Sequence, residues 1–384
     1  MSIPVTPVTI VVVPRERFAL SRRSLESIYN NTSCPFRLVY VDGGSPASIK
    51  RYLEVQAKQR GFALLRRDYY LTPNEARNLG IAQVETPYTV FVDNDVLVTP
   101  GWLEALVTCA DDTKAWVVGP LYCMGELETP IVHMAGGRAY IDEQQGVRRF
   151  YEVQRFWGVP LSQVRPRLHR ESCEVMEFHC MLVRTEVVRR LGPLDEQLMS
   201  ALENPDLCMS VRAAGGEVYL EPAALVTYLH PPPCAWRDLP YFLLRWSEQW
   251  NRASLHRFRE KWNLPDNDPS LVAQFHAWAG WRRQVLLPSA STFRRIFGWR
   301  LGTLINRGLE AIETALNRWL IHDRRRAQRG LRTALVREGA RHDLPGVALV
   351  SPNESPALQP TLARWLSRGG DRMRPRGLRS SVSF

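Results

Sequence analysis

The sequence predicts an α/β fold, with a mostly parallel sheet flanked by helices and a C-terminal helical extension. Short apolar strands alternate with amphipathic helices over the first 120 residues. Such alternation favours a parallel sheet that is covered by helices on both faces. After residue 236 the apolar residues recur at helical spacing, which predicts helices beyond the sheet.

Each predicted element has its own signal. Apolar runs predict strands over residues 8–14, 36–44, 62–67 and 88–93. Helical periodicity predicts helices over residues 19–31, 47–61 and 72–84. The third helix also carries an N-terminal signature, because Thr72 is a candidate N-cap, Pro73 takes the first position and Glu75 the third. The first strand, helix and second strand together predict a βαβ unit.

Two carboxylates, Asp93 and Asp95, lie one residue apart at the carboxyl end of the strand 88–93. Buried charges are costly unless a cation or a hydrogen-bond network meets them. Mg²⁺ and Mn²⁺ prefer oxygen ligands and complete their shells with water and phosphate oxygens, so this pair suits a metal bound to a diphosphate. A polar turn after the strand would explain the same residues. Asp42 ends an earlier strand, and α/β sheets bind ligands at such ends.

Composition indicates a globular protein. The 384 residues, 45% of them hydrophobic, are enough for one large or two ordinary domains. The first residues lack a basic segment and a cleavage site, and no apolar run approaches the roughly 20 residues of a membrane span. The seven cysteines include no CxxC pair and are expected to be reduced thiols. We therefore predict a cytoplasmic protein.

The positive charge lies in the tail. The net charge is +11, yet residues 281–384 carry 20 arginines, no lysine and seven acidic residues, a balance of +13. Such a tail can be a solvated helical face, a contact to an anionic membrane surface or a nucleic-acid patch. Nucleic acid is the least favoured of these partners. Peripheral membrane attachment is thus the alternative to a purely cytoplasmic location.

Four segments follow one another at informative spacing along the N-terminal half, namely VVVP, VYVDGGSP, EARNLGIA and FVDNDVLVTPGWLEALV. They are similar to the successive donor-binding segments of the family 2 glycosyltransferases, which have the GT-A fold and use nucleotide-sugar donors. FHCMLVRTEVVRRLGPLDEQL (178–198) resembles that family's acceptor-side strand and loop, and ALENPDLCMSVRAAGGEVYLEPAALVTYLH (201–230) the block that completes the site. The resemblance covers residues 6–232 and implies a fold more strongly than a substrate.

The resemblance implies a donor site. Pro14 and Asp42 lie where the family holds the nucleotide base, with Asp42 placed to accept a hydrogen bond from a uracil-like ring. Arg77 and Asn78 lie on the helix whose side chains point toward the donor. The alternative for Asp42 is a turn residue, and the alternative for Arg77 and Asn78 is a surface ion pair.

The resemblance also implies a metal site. Asp93 and Asp95 would hold Mn²⁺ or Mg²⁺ together with the ribose and diphosphate of the donor. His230 ends an apolar strand and lies where related enzymes place a third metal ligand. A histidine at a strand end can instead be structural, so this ligand stays an alternative.

The catalytic block departs from the common pattern. Many inverting members have Glu-Asp, whereas this chain has Glu203-Asn204, and an amide cannot act as a base. Either Glu203 or Asp206 is the base, or the enzyme retains anomeric configuration and needs none. The second alternative has support, since ENPDLCMSVRAAGG is also similar to a block of the retaining polypeptide N-acetylgalactosaminyltransferases. We favour Glu203 as the main catalytic carboxylate.

Residues 121–176 mix glycine, proline, aromatic residues and arginine without a clean period. In this fold such an insertion lies over the active site or is a surface excursion.

The segment 237–263 has helical periodicity. Its Phe242, Trp246 and Trp250 form an aromatic stripe that either docks the helix on the catalytic domain or stacks sugar rings. Residues 293–330 predict a further helix with an arginine-rich side. The expected domains are a catalytic domain 1–235, a helical basic extension 236–340 and a disordered tail 341–384.

We therefore predict a glycosyltransferase that moves a sugar from a nucleotide-sugar donor, expected to be a UDP-sugar, with the help of a divalent metal. The acceptor class stays open between a glycan, a lipid-linked molecule and a protein. The alternative is a binding module that kept the scaffold but lost turnover, as Asn204 would indicate. A nucleotidyltransferase is disfavoured, because VVVPRERFAL after the first strand lacks the expected phosphate loop.

Overall fold

The computed structural model of the chain describes residues 7–15, 17–125, 129–228, 235–287 and 290–339. The first strands in these ranges are β1 (Val8–Val13), β2 (Phe36–Gly43), β3 (Ala63–Arg67), β4 (Tyr88–Asp93), β5 (Val96–Val98) and β6 (Val117–Met124). They are followed by β7 (Ile131–Met134), β8 (Gly137–Gln144), β9 (Val147–Gln154), β10 (Glu171–Cys173), β11 (Cys180–Arg184) and β12 (Val218–Tyr228).

The helices between the strands are α1 (Ser21–Asn31), α2 (Ala47–Arg60), α3 (Pro73–Ile81), α4 (Trp102–Thr113), α5 (Leu161–Val164), α6 (Thr185–Leu191) and α7 (Glu203–Ala213). The C-terminal helices are α8 (Leu239–Arg245), α9 (Glu248–Trp262), α10 (Pro269–Leu286) and α11 (Ala290–Gly339). All seven elements predicted over residues 8–93 are present, with ends that differ by up to three residues.

The main sheet has the strand order β10-β12-β6-β11-β4-β1-β2-β3. Strands β3, β2, β1 and β4 are parallel, whereas β11 runs antiparallel to both β4 and β6. The predicted α/β class and the C-terminal helices are confirmed. The four N-terminal strands form one parallel part of the sheet, and β12 pairs in parallel with β6. Because β1 pairs in register with β2 and β4, the residues that follow these strands lie at one sheet edge.

Local sequence explains how α3 is held at this edge. Glu75 N donates to Thr72 Oγ1 and Thr72 N donates to Glu75 Oε2, which is the predicted capping box. The helix packs on β1 and β2, and a side chain in place of Gly80 would collide with Val11. This close approach brings the buried Arg77 beneath the end of β4.

The C-terminal helices pack against the sheet domain. Tyr241 Oη donates to Leu71 O at 2.6 Å, and Lys261 pairs with Asp206 at 2.8 Å. Residues 237–263 form two helices instead of the single helix that their periodicity predicts. The Ser247 side chain accepts a hydrogen bond from Trp250 N and caps the second helix. The predicted helix over 293–330 lies within α11, which bends at Gly298.

Among the described residues, no helix combines the length and the apolar character that crossing a bilayer would require. The six described cysteines are all free thiols, in line with the expected reduced state. Cys234 and the expected tail 341–384 lie outside the described residues.

Candidate active site

A cavity of about 440 Å³ opens beside the carboxyl ends of β1 and β4. Its wall is built from the segment after β1, the insertion, the residues before β11, the start of α7, the end of β12, and helices α8 and α10. Elements far apart in sequence thus converge on one site. The part of the insertion that reaches the cavity is β7 to β9, so this segment lies over the site as the first of the two sequence interpretations expects.

Asp93 and Asp95 are buried beside two arginines of the cavity wall. Arg17 Nε pairs with Asp95 Oδ2 at 2.8 Å, and Arg15 Nε lies 3.7 Å from Asp93 Oδ2. Burial raises the pKa of Asp93, but the charges of Arg15, His179 and Arg77 outweigh it and hold this pKa well below its usual range. Asp93 is therefore ionised at neutral pH, which is the form that can bind a metal cation or pair with the neighbouring arginines.

Arg77 connects the carboxylate pair with the catalytic block. Its guanidinium lies 3.7 Å from Asp93 Oδ1 and 3.9 Å from Glu203 Oε1, and it stacks on Phe178. Burial lowers the pKa of Arg77 to about 10, while the neighbouring carboxylates raise it. Arg77 therefore stays charged at neutral pH and couples the two halves of the site.

Glu203 begins α7 at the cavity wall and is 3% exposed. Arg245 of α8, which is fully buried, lies 3.5 Å from Glu203 Oε1. The next residue, Asn204, accepts a hydrogen bond from Phe178 N at 3.1 Å through its side-chain oxygen. The amide is thus engaged with the backbone before β11, whereas Glu203 faces the cavity between two guanidinium groups.

Two histidines and a glutamate also line the cavity. His133 Nε2 lies 2.7 Å from Glu177 Oε2, and His179 Nε2 lies 3.6 Å from the same oxygen. Burial raises the pKa of Glu177, but the charges and hydrogen bonds of the two histidines outweigh it and bring this pKa to about 2. Glu177 is therefore an ionised carboxylate at neutral pH.

Glu152, on the insertion strand β9, also faces the cavity and accepts a hydrogen bond from Gln274 Nε2 at 2.8 Å. Burial, with the nearby charges of Glu177 and Glu203, raises its pKa to about 7 from the ordinary value of 4.5. Between pH 4.5 and pH 7, Glu152 therefore holds its proton more often in the folded state than in the unfolded chain. The free energy of unfolding should therefore fall as the pH rises from 4.5 to 7.

We expect Glu152→Gln to remove this pH dependence. Relative to the variant, the wild-type protein should lose up to about 3 kcal/mol of unfolding free energy across this window, because each pKa unit corresponds to about 1.4 kcal/mol. Urea unfolding at pH 4.5, 5.5 and 7.5 in EDTA measures the difference. Glu143→Gln, on the exposed part of the same hairpin, should behave like wild type. Parallel pH profiles for wild type and Glu152→Gln would contradict the assignment.

The remaining predicted residues lie in different places. Pro14 is buried directly after β1. Asp42 is buried at the end of β2, where Ser45 Oγ donates to it at 2.8 Å and Arg66 pairs with it. Asn78 bonds the backbone of Leu194 through both side-chain atoms, so it supports a loop.

Asp206 is directed away from the cavity toward α9. It pairs with Lys261 and accepts a hydrogen bond from Trp262 Nε1 at 2.9 Å. The structure therefore does not bring Asp206 to Glu203 in the cavity wall, and its contacts are those of a helix-docking residue. His230 lies outside the described residues.

Sequence reasoning missed the arginines, the histidines and part of the aromatic wall. Arg15 and Arg17 follow β1 directly, so their position at a strand end was an available signal. Trp246 belongs to the predicted stripe and lines the cavity together with Trp278 and Trp281, whereas Phe242 and Trp250 are buried. His133 had no periodic or motif signal, because only the folding of the insertion places it here.

Comparisons with known proteins find similarity to glycosyltransferases. Residues 9–192 match the sequence model described as glycosyl transferase family 2. Over 224 residues the chain is 27% identical to the pre-mycofactocin glycosyltransferase of Mycobacterium tuberculosis. The aligned part is 58% of this chain and 43% of that protein. It is 26% identical to the uncharacterized protein y4gI of Sinorhizobium fredii, with 55% of this chain and 23% of that protein covered. The chain spans less than half the length of these relatives.

Two solved structures are similar to part of the chain. The crystal structure of GalNAc-T7 with UDP, GalNAc and Mn²⁺ has a TM-score of 0.45 at 16% identity and covers 67% of this chain and 55% of that chain. The crystal structure of S. aureus TarS has a TM-score of 0.42 at 14% identity, with 71% and 43% covered. The sequence match extends from β1 through α6 and includes Asp93 and Asp95. By this match, residues 9–192 of the chain are similar to glycosyl transferase family 2.

Proposed function

We propose that the protein is a glycosyltransferase that moves a sugar from a nucleoside diphosphate, with UDP-sugars as the expected donors, to an acceptor bound in the cavity. The observation that carries this proposal is that Asp93, Asp95 and Glu203 gather at one sheet edge around three arginines, which are Arg15, Arg17 and Arg77. The similarity of residues 9–192 to glycosyl transferase family 2 supports the reaction class. The acceptor would be a glycan, a lipid-linked molecule or a protein.

The donor would lie along the carboxyl ends of β1, β2 and β4. Pro14 and Asp42 would contact the base, and Arg15 and Arg17 would meet the diphosphate, because guanidinium groups bind phosphate oxygens in a bidentate manner. When the donor binds there, Arg17 would exchange its ion pair with Asp95 for contacts to the diphosphate. These residues then hold the leaving group in a fixed orientation, which lowers the barrier by positioning.

Asp93 and Asp95 would hold a divalent metal, Mn²⁺ or Mg²⁺, with His230 as the proposed third ligand. The residues fit such an ion, because Asp93 Oδ1 is buried and accepts no hydrogen bond from the described residues. Carboxylate oxygens are also the donors that these cations prefer. When bound, the metal supplies Lewis-acid stabilisation of the leaving diphosphate.

Glu203 would be the catalytic carboxylate on the acceptor side. It lies across Arg77 from Asp93, so it is placed to orient the acceptor hydroxyl or to take its proton. Arg77 and Arg245 would hold the Glu203 side chain in place, since buried charges need partners. Trp246, Trp278 and Trp281 of the same wall would offer apolar ring faces to a sugar or to another flat acceptor group.

A panel of nucleotide sugars, each tested with and without Mn²⁺, examines this function. A ligand that binds the folded state raises the melting temperature by mass action. We expect at least one UDP-sugar to raise it more with Mn²⁺ than without, and to be hydrolysed slowly. A chain that no nucleotide sugar stabilises would contradict the proposal, whereas stabilisation without any turnover would favour the binding-module alternative.

We further propose that residues 1–235 form the catalytic domain and that residues 236–340 form an extension that contacts anionic membrane surfaces. Helix α11 exposes large apolar side chains, among them Ile296, Trp299 and Leu304 at 61%, 69% and 68% exposure. Arginines lie between them in sequence. An apolar face combined with basic residues suits the interface of an anionic bilayer.

We expect the full chain to sediment with anionic vesicles at moderate salt and with neutral vesicles weakly. Truncation after residue 285 should abolish this binding, because it removes most of the positive charge. Trp299→Ser with Leu304→Ser should weaken binding in the intact chain, whereas Trp236→Ser, which changes an exposed tryptophan outside α11, should not. Unchanged binding after truncation, or none in the full chain, would overturn the membrane proposal.

A further inference from the structure

The wall of the cavity contains a cluster of two imidazoles and one carboxylate. His133 lies on β7, and Glu177 and His179 lie directly before β11. One ligand atom from each of the three residues falls within 4.8 Å of the others. All three side chains are mostly buried, with 9% to 14% of their surface exposed. The cluster therefore has the composition and compactness of a metal site.

Both imidazoles are oriented in the same way. Each presents Nε2 to Glu177 Oε2, while its Nδ1 is held from the other side. Tyr228 Oη lies 3.0 Å from His133 Nδ1, and Asp93 Oδ2 lies 3.1 Å from His179 Nδ1. Histidines that bind metals have this arrangement, because a partner on the far nitrogen fixes the tautomer and the ring orientation.

Glu177 is oriented as well. Gln154 Nε2 donates to Oε1 at 2.7 Å, which leaves Oε2 directed at the two imidazoles. In a tetrahedral zinc site with bonds of about 2.0–2.2 Å, neighbouring ligand atoms are roughly 3.3 Å apart. The observed separations of 2.7 Å and 3.6 Å from Oε2 bracket this value. Small side-chain movements would therefore complete a coordination shell.

We propose that His133, Glu177 and His179 bind a divalent transition-metal ion, with Zn²⁺ as the best match. Two imidazoles and one carboxylate favour Zn²⁺ over Mg²⁺, which prefers oxygen ligands alone. Three protein ligands leave a fourth position, and the cavity supplies room for a water or a hydroxyl group there. The site differs from the carboxylate pair, since it requires neither Asp95 nor a diphosphate.

The site lies next to the proposed donor metal, and Asp93 links the two. Its Oδ2 contacts His179, while its Oδ1 faces Arg77. An ion on the histidine cluster would therefore sit on the far side of His179 from the donor. The inference stands whether or not the chain transfers sugar, because metal binding is measured without any nucleotide.

Zinc titration of the metal-stripped full chain tests the site. The probe is Zn²⁺ alone, followed by calorimetry and by elemental analysis after dialysis, and Co²⁺ substitution adds a visible absorption spectrum. We expect one equivalent of Zn²⁺ that His133→Ala and His179→Ala each lose. Tyr228→Phe keeps the ring and removes the hydroxyl that contacts His133 Nδ1, so it should weaken binding by roughly 10- to 100-fold.

Two variants serve as controls. His256→Ala removes a histidine whose side chain is 65% exposed and should bind Zn²⁺ like wild type. Asp95→Asn should also keep the equivalent, which separates this site from the donor metal. Circular dichroism verifies that each variant is folded. Three results would overturn the inference: a wild-type chain that binds no Zn²⁺, a His133→Ala variant that binds Zn²⁺ normally, or a loss of Zn²⁺ binding confined to Asp95→Asn. The cluster would then be a group of hydrogen-bonded side chains without a metal.

Discussion

Asp95→Asn should reduce glycosyl transfer by roughly 10³-fold or more. Lewis-acid stabilisation of a leaving group is worth several kcal/mol, and each 1.4 kcal/mol is a factor of about ten in rate. The amide is uncharged and binds divalent cations poorly, so UDP should also bind more weakly when Mn²⁺ is present. In EDTA the affinities of variant and wild type for UDP should converge.

The fold should survive this substitution, because the amide keeps the shape of the carboxylate. Thermal unfolding without ligand checks this point. Asp68→Asn is the matched control, since Asp68 pairs with Arg66 at a site that is 74% exposed. Transfer is measured with the donor that the nucleotide-sugar panel identifies. A folded Asp95→Asn enzyme with near-normal activity would remove the metal assignment.

Glu203→Gln should reduce the transfer rate by roughly 10²-fold or more, which is the usual scale for the loss of a general base. Donor affinity should barely change, because the donor residues follow β1, β2 and β4. The substitution also removes a charge between the buried Arg77 and Arg245, so the melting temperature should fall. Rates are therefore compared at a temperature where circular dichroism shows both proteins folded, with the exposed Glu85→Gln as control.

Asn204→Asp is the companion test. Its carboxylate can accept the same hydrogen bond from Phe178 N, so the change adds a charge with little change in shape. An enzyme that already uses Glu203 should gain little activity. A large gain in activity, combined with an unaffected Glu203→Gln variant, would show that the catalytic carboxylate belongs at position 204. The natural chain, which has an amide there, would then be better explained as a binding module.

Local signals were sufficient for the N-terminal half of the fold. The strands over residues 8–93 are short apolar runs, and the Thr72 capping box lies within four residues, so neighbouring side chains decide these elements. Asp93 and Asp95 could be placed at a sheet edge for the same reason, since parallel strands end together. The break between α8 and α9 was missed, because the aromatic period continues across Ser247 and hides the cap.

The sequence by itself determined the strand and helix order, the carboxylate pair and the family resemblance, because each depends on residues close together in the chain. Only the tertiary structure decided that Arg77 joins Asp93 to Glu203 and that Asp206 faces Lys261 instead of the cavity. The same holds for His133, which meets Glu177 across 44 residues of irregular sequence. Long-range packing fixes such contacts, and no local periodicity records which side chains it will bring together.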